Sequence, residues 1–305
     1  MKKILLCIVC ILLFLLPLYF VKKGKTEKTE PQVLKESCTL LITVNGQQIK
    51  LDDYLIGVLA GEMPVSFHEE ALKAQAIAAR TYALKQTEYG TKEIKATTAH
   101  QVFQTTEERQ QKWQTAFKTN EGKLAQAVQE SANLVVTYND QLITAMFHSA
   151  SQTMTESAEN YSGNGIPYLQ TVSSPEAQPK QPTLFSFQQL NNLLKQSFKA
   201  NSYKKIELLR NSTGRVAKVR LNGKTWTGRE FRELLSLRST NFDWQWSANG
   251  VTITTYGYGH GVGMSQHGAN TMGQSGQTAE QILAHYYPGT VLEEVDFCER
   301  QEISD

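Results

Sequence analysis

One glutamate, Glu62, stands in a setting that suits acid–base chemistry. It lies in the segment Gly-Glu-Met-Pro at residues 61–64, directly before a stretch typical of a long helix. Its neighbours Met63 and Pro64 are apolar, and burial among apolar groups raises the pKa of a carboxyl. A carboxyl with a raised pKa holds its proton near neutral pH, as a general acid must. Glu62 is therefore the candidate catalytic residue.

The alternative is that Glu62 is a surface carboxylate near the positive end of a helix dipole. That role is already filled in the following helix, where Ser66 is predicted as the N-cap and Glu69 completes a capping box. Since the first turn also carries Glu70, a further acid is not needed to stabilise this helix end. The sequence thus favours a chemical role for Glu62.

Two basic residues on the same helix, Lys73 and Arg80, are seven positions apart and so share one face. This helix has alanines on every side, as a buried helix does, and buried charges need partners. Either the two residues form structural ion pairs, with Asp52 or Asp53 as candidates, or they line a substrate cleft.

A glycine-rich segment, GYGHGVGMSQHGA at residues 257–269, is the second candidate for binding. It lacks the lysine of a phosphate-binding loop, and tight turns explain only some of its glycines. The glycines allow a ligand to approach closely, and His260, Ser265 and Gln266 stand among them.

A third segment, FHSASQTMTESAENY at residues 147–161, is rich in hydroxyls and amides that suit sugar hydroxyl and acetamido groups. Its candidate binding residues are His148, Ser149 and Ser151. A serine–histidine–aspartate mechanism through His148 or His260 is an alternative, although the sequence has no G-x-S-x-G elbow.

Composition argues against nucleic-acid binding and against a metal site. The 305 residues carry a net charge of only +2, which argues against a nucleic-acid-binding protein held by phosphate contacts. The predicted globular part contains only Cys38 and Cys298, and no Cys-x-x-Cys pair or cysteine near a histidine occurs there. We therefore expect no zinc site and no metal cofactor.

The beginning of the chain predicts a membrane anchor. Residues 4–21 are uncharged and apolar, long enough to span a bilayer, and no A-x-A cleavage pattern follows them. Lysines flank this run on both sides, so local charge does not decide its orientation. Residues 22–37 are polar and predict a tether, and the globular part extends over residues 38–298.

The elements that must position these residues alternate between helices and hairpins. Asn45-Gly46 and Asn139-Asp140 are predicted hairpin turns, and residues 171–183, with three prolines, are a predicted linker. Two strands joined at residues 212–214 and a short helix, REFRELLSL, follow. The pattern predicts an α+β fold, with helices and antiparallel hairpins around a central buried helix and a substrate cleft.

Three segments together resemble the stage II sporulation protein D family. They are YLIGVLAGEMPVSFHEEALKAQAIAARTYAL, FHSASQTMTESAENYSGNGIPYLQTV and GYGHGVGMSQHGANTMGQSGQTAEQILAHYYPGT, in the order of the family, and the resemblance covers roughly residues 40–292. The first and third segments are long and specific. The predicted N-terminal anchor also agrees with the resemblance.

The resemblance implies a peptidoglycan lytic transglycosylase that cleaves glycan strands freed of stem peptides during engulfment of the forespore. It implies action at the cell membrane with the catalytic domain outside the cytoplasm, beside an amidase-endopeptidase and a membrane scaffold protein. The family's catalytic carboxylate matches Glu62, and its basic helix pair matches Lys73 and Arg80.

Two further implications of the resemblance concern ligands. Some members carry a histidine–cysteine zinc cluster in the region that matches residues 95–110, but here only His100 is present. The stretch Ser151-Gln152-Thr153 stands where the family has a glycine pair. The family also includes amidase enhancers, so a non-catalytic wall-binding protein that activates an amidase is the alternative function.

A lone acid is sufficient for such a reaction. A glycosidase uses two carboxylates, one as acid and the other as nucleophile or base for water. In a lytic transglycosylase the nucleophile is the C6 hydroxyl of the substrate's own muramyl ring, so Glu62 would first donate and then accept a proton.

The two cysteines that bracket the globular part predict a disulfide. Cys38 and Cys298 would both lie outside the cytoplasm, and the ends of a domain are often close together. Two free thiols are the alternative.

Overall fold

A computed structural model of the chain describes residues 40–97, 100–177 and 180–297. The predicted anchor, the tether and both Cys38 and Cys298 lie outside these residues. Within them, no helix is both long and apolar enough to cross a membrane.

The described residues form nine helices, with 3₁₀ turns at Gln114–Ala116 and Ala200–Lys205. The helices are α1 Leu51–Glu62, α2 Glu69–Thr87, α3 Thr106–Trp113, α4 Phe117–Glu130, α5 Ala158–Ser162, α6 Phe187–Leu194, α7 Gly228–Leu234, α8 Gln266–Gln274 and α9 Ala279–Tyr286.

Fourteen strands belong to five small sheets in these ranges. The strands are β1 Leu41–Val44, β2 Gln47–Lys50, β3 Glu93–Ile94, β4 Leu134–Tyr138, β5 Gln141–Leu142, β6 Phe147–His148, β7 Gln181–Phe185, β8 Glu207–Arg210, β9 Val216–Leu221, β10 Lys224–Thr227, β11 Phe242–Ser247, β12 Gly250–Thr255, β13 Met264–Ser265 and β14 Val291–Glu294. The sheets have the orders β2-β1-β3, β14-β4-β5, β13-β6, β10-β9-β8 and β11-β12-β7. Most pairs are antiparallel, which confirms the predicted α+β class.

The central buried helix is α2, as the distribution of alanines predicts. Its buried residues lie on every side, and it packs against α1, α4, α8, α9 and β4. The small alanine side chains allow these neighbours to approach closely on all faces. Both predicted hairpin turns are also confirmed, with positive φ at Asn45, Gly46, Asn139 and Asp140.

The predicted N-cap of this helix is wrong. Ser66 lies in a tight turn in which Phe67 N–H bonds to the Pro64 carbonyl at 3.0 Å, so the chain enters the helix two residues later. His68 is the cap, and its Nδ1 accepts a hydrogen bond from Glu70 N–H at 3.3 Å. A long-range bond from His68 N–H to Asn270 Oδ1 at 2.7 Å holds this entry in place.

The buried apolar residues form two separate cores in one compact unit. The first contains α1, α2, α4, α8 and α9. The second contains only buried residues between Leu190 and Ile253, including those of α6, α7 and β9. The sequence prediction is incomplete in both cores, because the predicted linker 171–183 ends in β7, and neither β10 nor α8 was foreseen.

Candidate active site

Glu62 is the last residue of α1, where a neighbouring segment approaches the helix. Its Oε1 accepts a hydrogen bond from Val102 N–H at 2.7 Å. This approach requires Gly61, because a Cβ there would lie 2.8 Å from the Val102 carbonyl oxygen. The missing side chain at Gly61 thus allows the backbone of Val102 to reach and orient the carboxylate.

Burial raises the pKa of the Glu62 carboxyl above its ordinary value. Two hydrogen bonds oppose this shift, one from Val102 N–H and one from the side chain of Gln266, the first residue of α8. The desolvation of the carboxylate outweighs both bonds. The local setting of Glu62 therefore agrees with the chemical expectation drawn from its apolar neighbours.

Glu62 lines a cavity of about 920 Å³. Its walls come from α1, α2, the segment around Val102, residues 144–149, the glycine-rich loop and α7. The lining residues are Gly61, Glu62, Tyr82, Gln86, His100, Val102, Thr144, Ala145, Met146, Phe147, His148, Ser149, Tyr161, Arg229, Arg232, Glu233, Tyr258, Gly259, His260 and Gln266. A space of this size accommodates a ligand of several rings.

Three rings form one side of this cavity. His260 lies 5.7 Å from His148 and 5.6 Å from Tyr161, measured between ring centroids. Gly259 makes this packing possible, since it has φ +107° and a Cβ there would lie 2.9 Å from the Cβ of His148. The cluster thus places two imidazoles and a phenol ring along one wall of the cavity that Glu62 lines.

Both histidines of the cluster lose basicity. Burial, reinforced by Arg232, lowers the pKa of His260 to about 4, so its ring is neutral at pH 7. Val262 N–H donates to His260 Nδ1 at 3.0 Å, which places the proton of the neutral ring on Nε2. Burial also lowers the pKa of His148 well below its ordinary value. Neither histidine is therefore suited to donate a proton near neutral pH.

The alternative serine–histidine mechanism would need an accessible serine beside a histidine. The structure contains such a pair, but its serine is buried. His148 Nε2 lies 2.5 Å from Ser151 Oγ, but Ser151 is only 1% exposed and does not line the cavity. His148 Nδ1 bonds to the Val262 carbonyl at 3.1 Å and not to an aspartate. This pair is a buried structural contact.

Two predicted sugar-binding serines, Ser151 and Ser265, are buried away from the cavity. Ser265 is the N-cap of α8, and its hydroxyl and the Ser151 N–H both donate to Glu176 Oε1, each at 2.6 Å. Together they tie the third segment to the glycine-rich one. Ser149, His148, His260 and Gln266, in contrast, all line the cavity.

The basic helix pair, Lys73 and Arg80, also lies outside the cavity lining. Lys73 forms ion pairs with Glu70 and Glu130, both at 2.7 Å, and is not among the residues that line the cavity. Of the two interpretations left open by the sequence, the structural one describes Lys73, although its partners are not Asp52 or Asp53.

Arg80 has a similar structural role inside the fold. It is buried and donates to the carbonyl oxygens of Ser131, Leu134 and Val128 at 2.6, 3.2 and 3.2 Å. These carbonyls lie at the end of α4 and the start of β4, where backbone acceptors lack partners. Burial lowers the pKa of Arg80 to about 10. Arg80 thus fastens α4 to α2.

Several lining residues were missed by the sequence argument. Arg229 and Arg232 come from the predicted helix REFRELLSL, and their spacing of three on one helix face was an available signal. Tyr161 and Tyr258 lie in segments already singled out. Nothing local identified Val102, because its contribution is a backbone N–H group.

His100 also lines the cavity and lies 3.3 Å, through Nδ1, from the hydroxyl of Tyr82. In the part of the chain that the structure describes, no three histidine, cysteine, aspartate or glutamate residues are grouped as a metal site would require.

Comparison with known proteins gives a consistent set of relatives. Residues 43–138 match the family model described as "Stage II sporulation protein". The stage II sporulation protein D of Bacillus subtilis (strain 168) is 38% identical over 262 residues, which is 82% of this chain and 76% of that protein. The protein of the same name from Bacillus amyloliquefaciens is 34% identical, with the same coverage of 82% and 76%. An amidase enhancer of B. subtilis is 29% identical, over 78% of this chain but only 40% of that protein.

Proposed function

The chain belongs to the stage II sporulation protein D family, and on this premise we propose that it is a peptidoglycan lytic transglycosylase with Glu62 as its catalytic acid and base. Its substrate is a glycan strand of alternating MurNAc and GlcNAc, freed of stem peptides. The single observation that carries the proposal is a partly buried carboxyl, with a raised pKa, that opens into a cavity large enough for sugars.

The first step is cleavage of the glycosidic bond. Protonated Glu62 donates its proton to the oxygen that joins C1 of MurNAc to GlcNAc, and the C1–O bond breaks as positive charge develops on the muramyl ring. The GlcNAc residue leaves with a hydroxyl group. The raised pKa keeps a share of Glu62 protonated for this step, while Val102 N–H and Gln266 stabilise the carboxylate that remains.

The second step is ring closure. The C6 hydroxyl of the same muramyl ring attacks C1, and the Glu62 carboxylate accepts the hydroxyl proton. A 1,6-anhydro-MurNAc end forms, and Glu62 is again protonated, so no water is consumed. Intramolecular attack benefits from the high effective concentration of the C6 hydroxyl.

The state of the second carboxylate in the cavity lining favours this mechanism over hydrolysis. A hydrolase needs a second acid as nucleophile or as base for water. Glu233 is the only other carboxylate among the lining residues, but it is 61% exposed and pairs with Arg229 at 2.9 Å. A two-carboxylate mechanism would have to recruit this exposed group, whereas the transglycosylase mechanism needs only Glu62.

The proposed location of the enzyme is based on its apolar N-terminal segment, and its proposed partners are based on the family resemblance. Residues 4–21 would anchor it in the cell membrane, with the cavity outside the cytoplasm. An amidase-endopeptidase would remove stem peptides before this enzyme acts, and a membrane scaffold protein would hold the two together during engulfment.

The second candidate is a non-catalytic protein that binds the cell wall and enhances an amidase. Its support is the similarity to the amidase enhancer of B. subtilis, of which the chain spans 40%. Both functions need a glycan cleft. Only the enzyme needs an acid of raised pKa inside that cleft.

Mass spectrometry of digested glycan separates these functions. Peptide-free strands are incubated with the protein and, as the matched control, with the Glu62→Gln variant. We expect products that end in 1,6-anhydro-MurNAc from the wild type alone. Products with reducing ends would indicate a hydrolase, and binding without products would indicate the wall-binding protein.

A further inference from the structure

The proposed reaction leaves one charged wall of the cavity without a role. Arg229 and Arg232 belong to α7, in the second core, and both line the same cavity as Glu62. Glu233 beside them carries the opposite charge. Two arginines against one glutamate leave this wall with an excess positive charge.

Arg229 is held loosely. Its Nε bonds to Glu233 at 2.9 Å, and its guanidinium carbon lies 5.2 Å from the ring centroid of Tyr161. Both members of the ion pair are more than half exposed, at 55% and 61%. Exposed pairs of this kind contribute little free energy, so another carboxylate can take the place of Glu233.

Arg232 is held in a fixed direction, but it forms no ion pair among the described residues. Its Nε donates to the Leu237 carbonyl at 3.1 Å, which sets the direction of the guanidinium. Burial lowers its pKa, and the charge of Glu233 opposes this shift. Among the described residues, however, no carboxylate lies within ion-pair distance of Arg232. A partly buried guanidinium that no carboxylate contacts directly is only partly compensated, and a bound anion at hydrogen-bond distance would relieve the remaining cost.

The space beside Arg232 continues beyond the main cavity. A second cavity of about 330 Å³ shares Arg232, Glu233 and Tyr258 with the first. Arg238 also lines it, with its guanidinium carbon 4.8 Å from the ring of Tyr258. The positive wall therefore borders both cavities, so a strand bound at Glu62 can extend along it.

We propose that Arg232, with Arg229 beside it, binds the free carboxylate of the lactyl group on a muramyl residue that has lost its stem peptide. This inference rests on the proposed function, because it assumes that a MurNAc-containing strand occupies the cavity. A guanidinium can bind a carboxylate through two parallel hydrogen bonds, which fixes both position and orientation.

This contact distinguishes the two kinds of strand by charge. When a stem peptide is attached, the lactyl carboxyl is an amide and carries no charge. When the peptide has been removed, the same group is an anion at neutral pH. The α7 wall thus selects peptide-free strands, and a peptide-removing reaction must supply the substrate.

The test measures binding and cleavage separately, with the full chain kept in a mild detergent. Three glycans are compared: peptide-free strands, the same strands with the lactyl carboxyl converted to a methylamide, and strands that carry stem peptides. Dissociation constants are measured by calorimetry in a Glu62→Gln background, and kcat/KM is measured with Glu62 intact. Arg232→Gln is compared with Arg232→Lys and with Arg220→Gln, an exposed arginine of the same core outside the cavity.

We expect methylamide strands to bind about 10- to 100-fold more weakly than peptide-free strands, as a charged hydrogen-bonded pair implies. Arg232→Gln should bind both strands equally weakly, Arg232→Lys should keep part of the difference, and Arg220→Gln should keep all of it. Thermal unfolding shows whether each variant is folded. If Arg232→Gln is not folded, the ratio of the two dissociation constants in Arg232→Lys is the test instead, and an unchanged ratio would overturn the inference.

The outcomes separate this inference from the proposed function. Charge-dependent binding without cleavage would support the inference and overturn the enzyme. Cleavage with equal binding of acid and methylamide strands would overturn the inference alone. Tighter binding of peptide-bearing strands, lost in Arg232→Gln, would assign the site to a peptide carboxylate and overturn the lactyl assignment. No binding of any strand would overturn both.

Discussion

Replacing Glu62 by glutamine removes the proton but keeps the shape. The amide oxygen can still accept the Val102 N–H bond of 2.7 Å, and the amide remains within reach of Gln266. We therefore expect the variant to fold normally. Turnover should fall by about 10²–10⁴-fold, the usual contribution of a positioned acid–base group. At 1.36 kcal/mol per tenfold, this is a rise of about 3–5 kcal/mol in the activation barrier.

The same substitution has a predictable effect on stability. Burial raises the folded-state pKa of Glu62 above the unfolded value of 4.5. Below pH 4.5 both states are protonated, whereas above the folded pKa the folded state bears the cost of a desolvated charge. Glu62→Gln should therefore unfold at a higher temperature than the wild type at pH 7, and this difference should shrink as the pH falls.

The assay combines release of anhydro-muramyl products with thermal unfolding between pH 4 and pH 8. Glu233→Gln is measured in parallel, because Glu233 is the other carboxylate of the cavity lining. Wild-type turnover in Glu62→Gln, with loss of turnover in Glu233→Gln, would move the acid to α7. A Glu62→Gln variant that is less stable at pH 7 than at pH 4.5, relative to the wild type, would refute the argument from burial.

Four further predictions concern other parts of the molecule. Arg80→Ala should lower the free energy of unfolding by about 3 kcal/mol or more, measured in urea, because three carbonyl oxygens lose their donor. His260→Asn should flatten the decline of stability between pH 6.5 and about pH 4, since the wild-type unfolded state binds a proton there before the folded state does. Activity should survive EDTA, because residues 95–110, where the family resemblance implies a zinc cluster in some members, contain His100 but no cysteine. Non-reducing peptide mapping should find a Cys38–Cys298 disulfide, which would stabilise by roughly 5 kcal/mol in the chain-entropy model.

Each of these has a contrary result. If Arg80→Ala were normally stable but inactive, the result would favour a substrate-binding role for Arg80 over the structural one. An unchanged pH dependence in His260→Asn would mean that His260 titrates normally. Loss of activity in EDTA, restored by zinc alone, would reveal a metal site. Two freely alkylated cysteines in exported protein would remove the disulfide.

The local parts of this fold were predictable from the sequence for simple reasons. The hairpin turns depend on asparagine, aspartate and glycine residues that tolerate positive φ, and those residues are visible in sequence. Alanines all around α2 indicate a helix packed on every side. The apolar neighbours of Glu62 suggested a raised carboxyl pKa, and burial raises it in the structure.

The tertiary structure alone decided what surrounds that carboxyl. Val102 and Gln266, which contact Glu62, are 40 and 204 positions away in the chain, and α7 belongs to a different core. Turn and helix preferences act over a few residues, whereas these contacts depend on how the elements pack.

The same limit explains the errors. The N-cap at His68 depends on Asn270, which lies 202 positions away, so the local capping pattern at Ser66 was misleading. Arg80 shares a helix face with Lys73, but only packing reveals that the carbonyls at the end of α4 occupy it. The sequence thus singled out Glu62 as the candidate acid and predicted most of the local elements, while the cavity exists only once distant segments meet, because its walls are made by long-range contacts that no local pattern encodes.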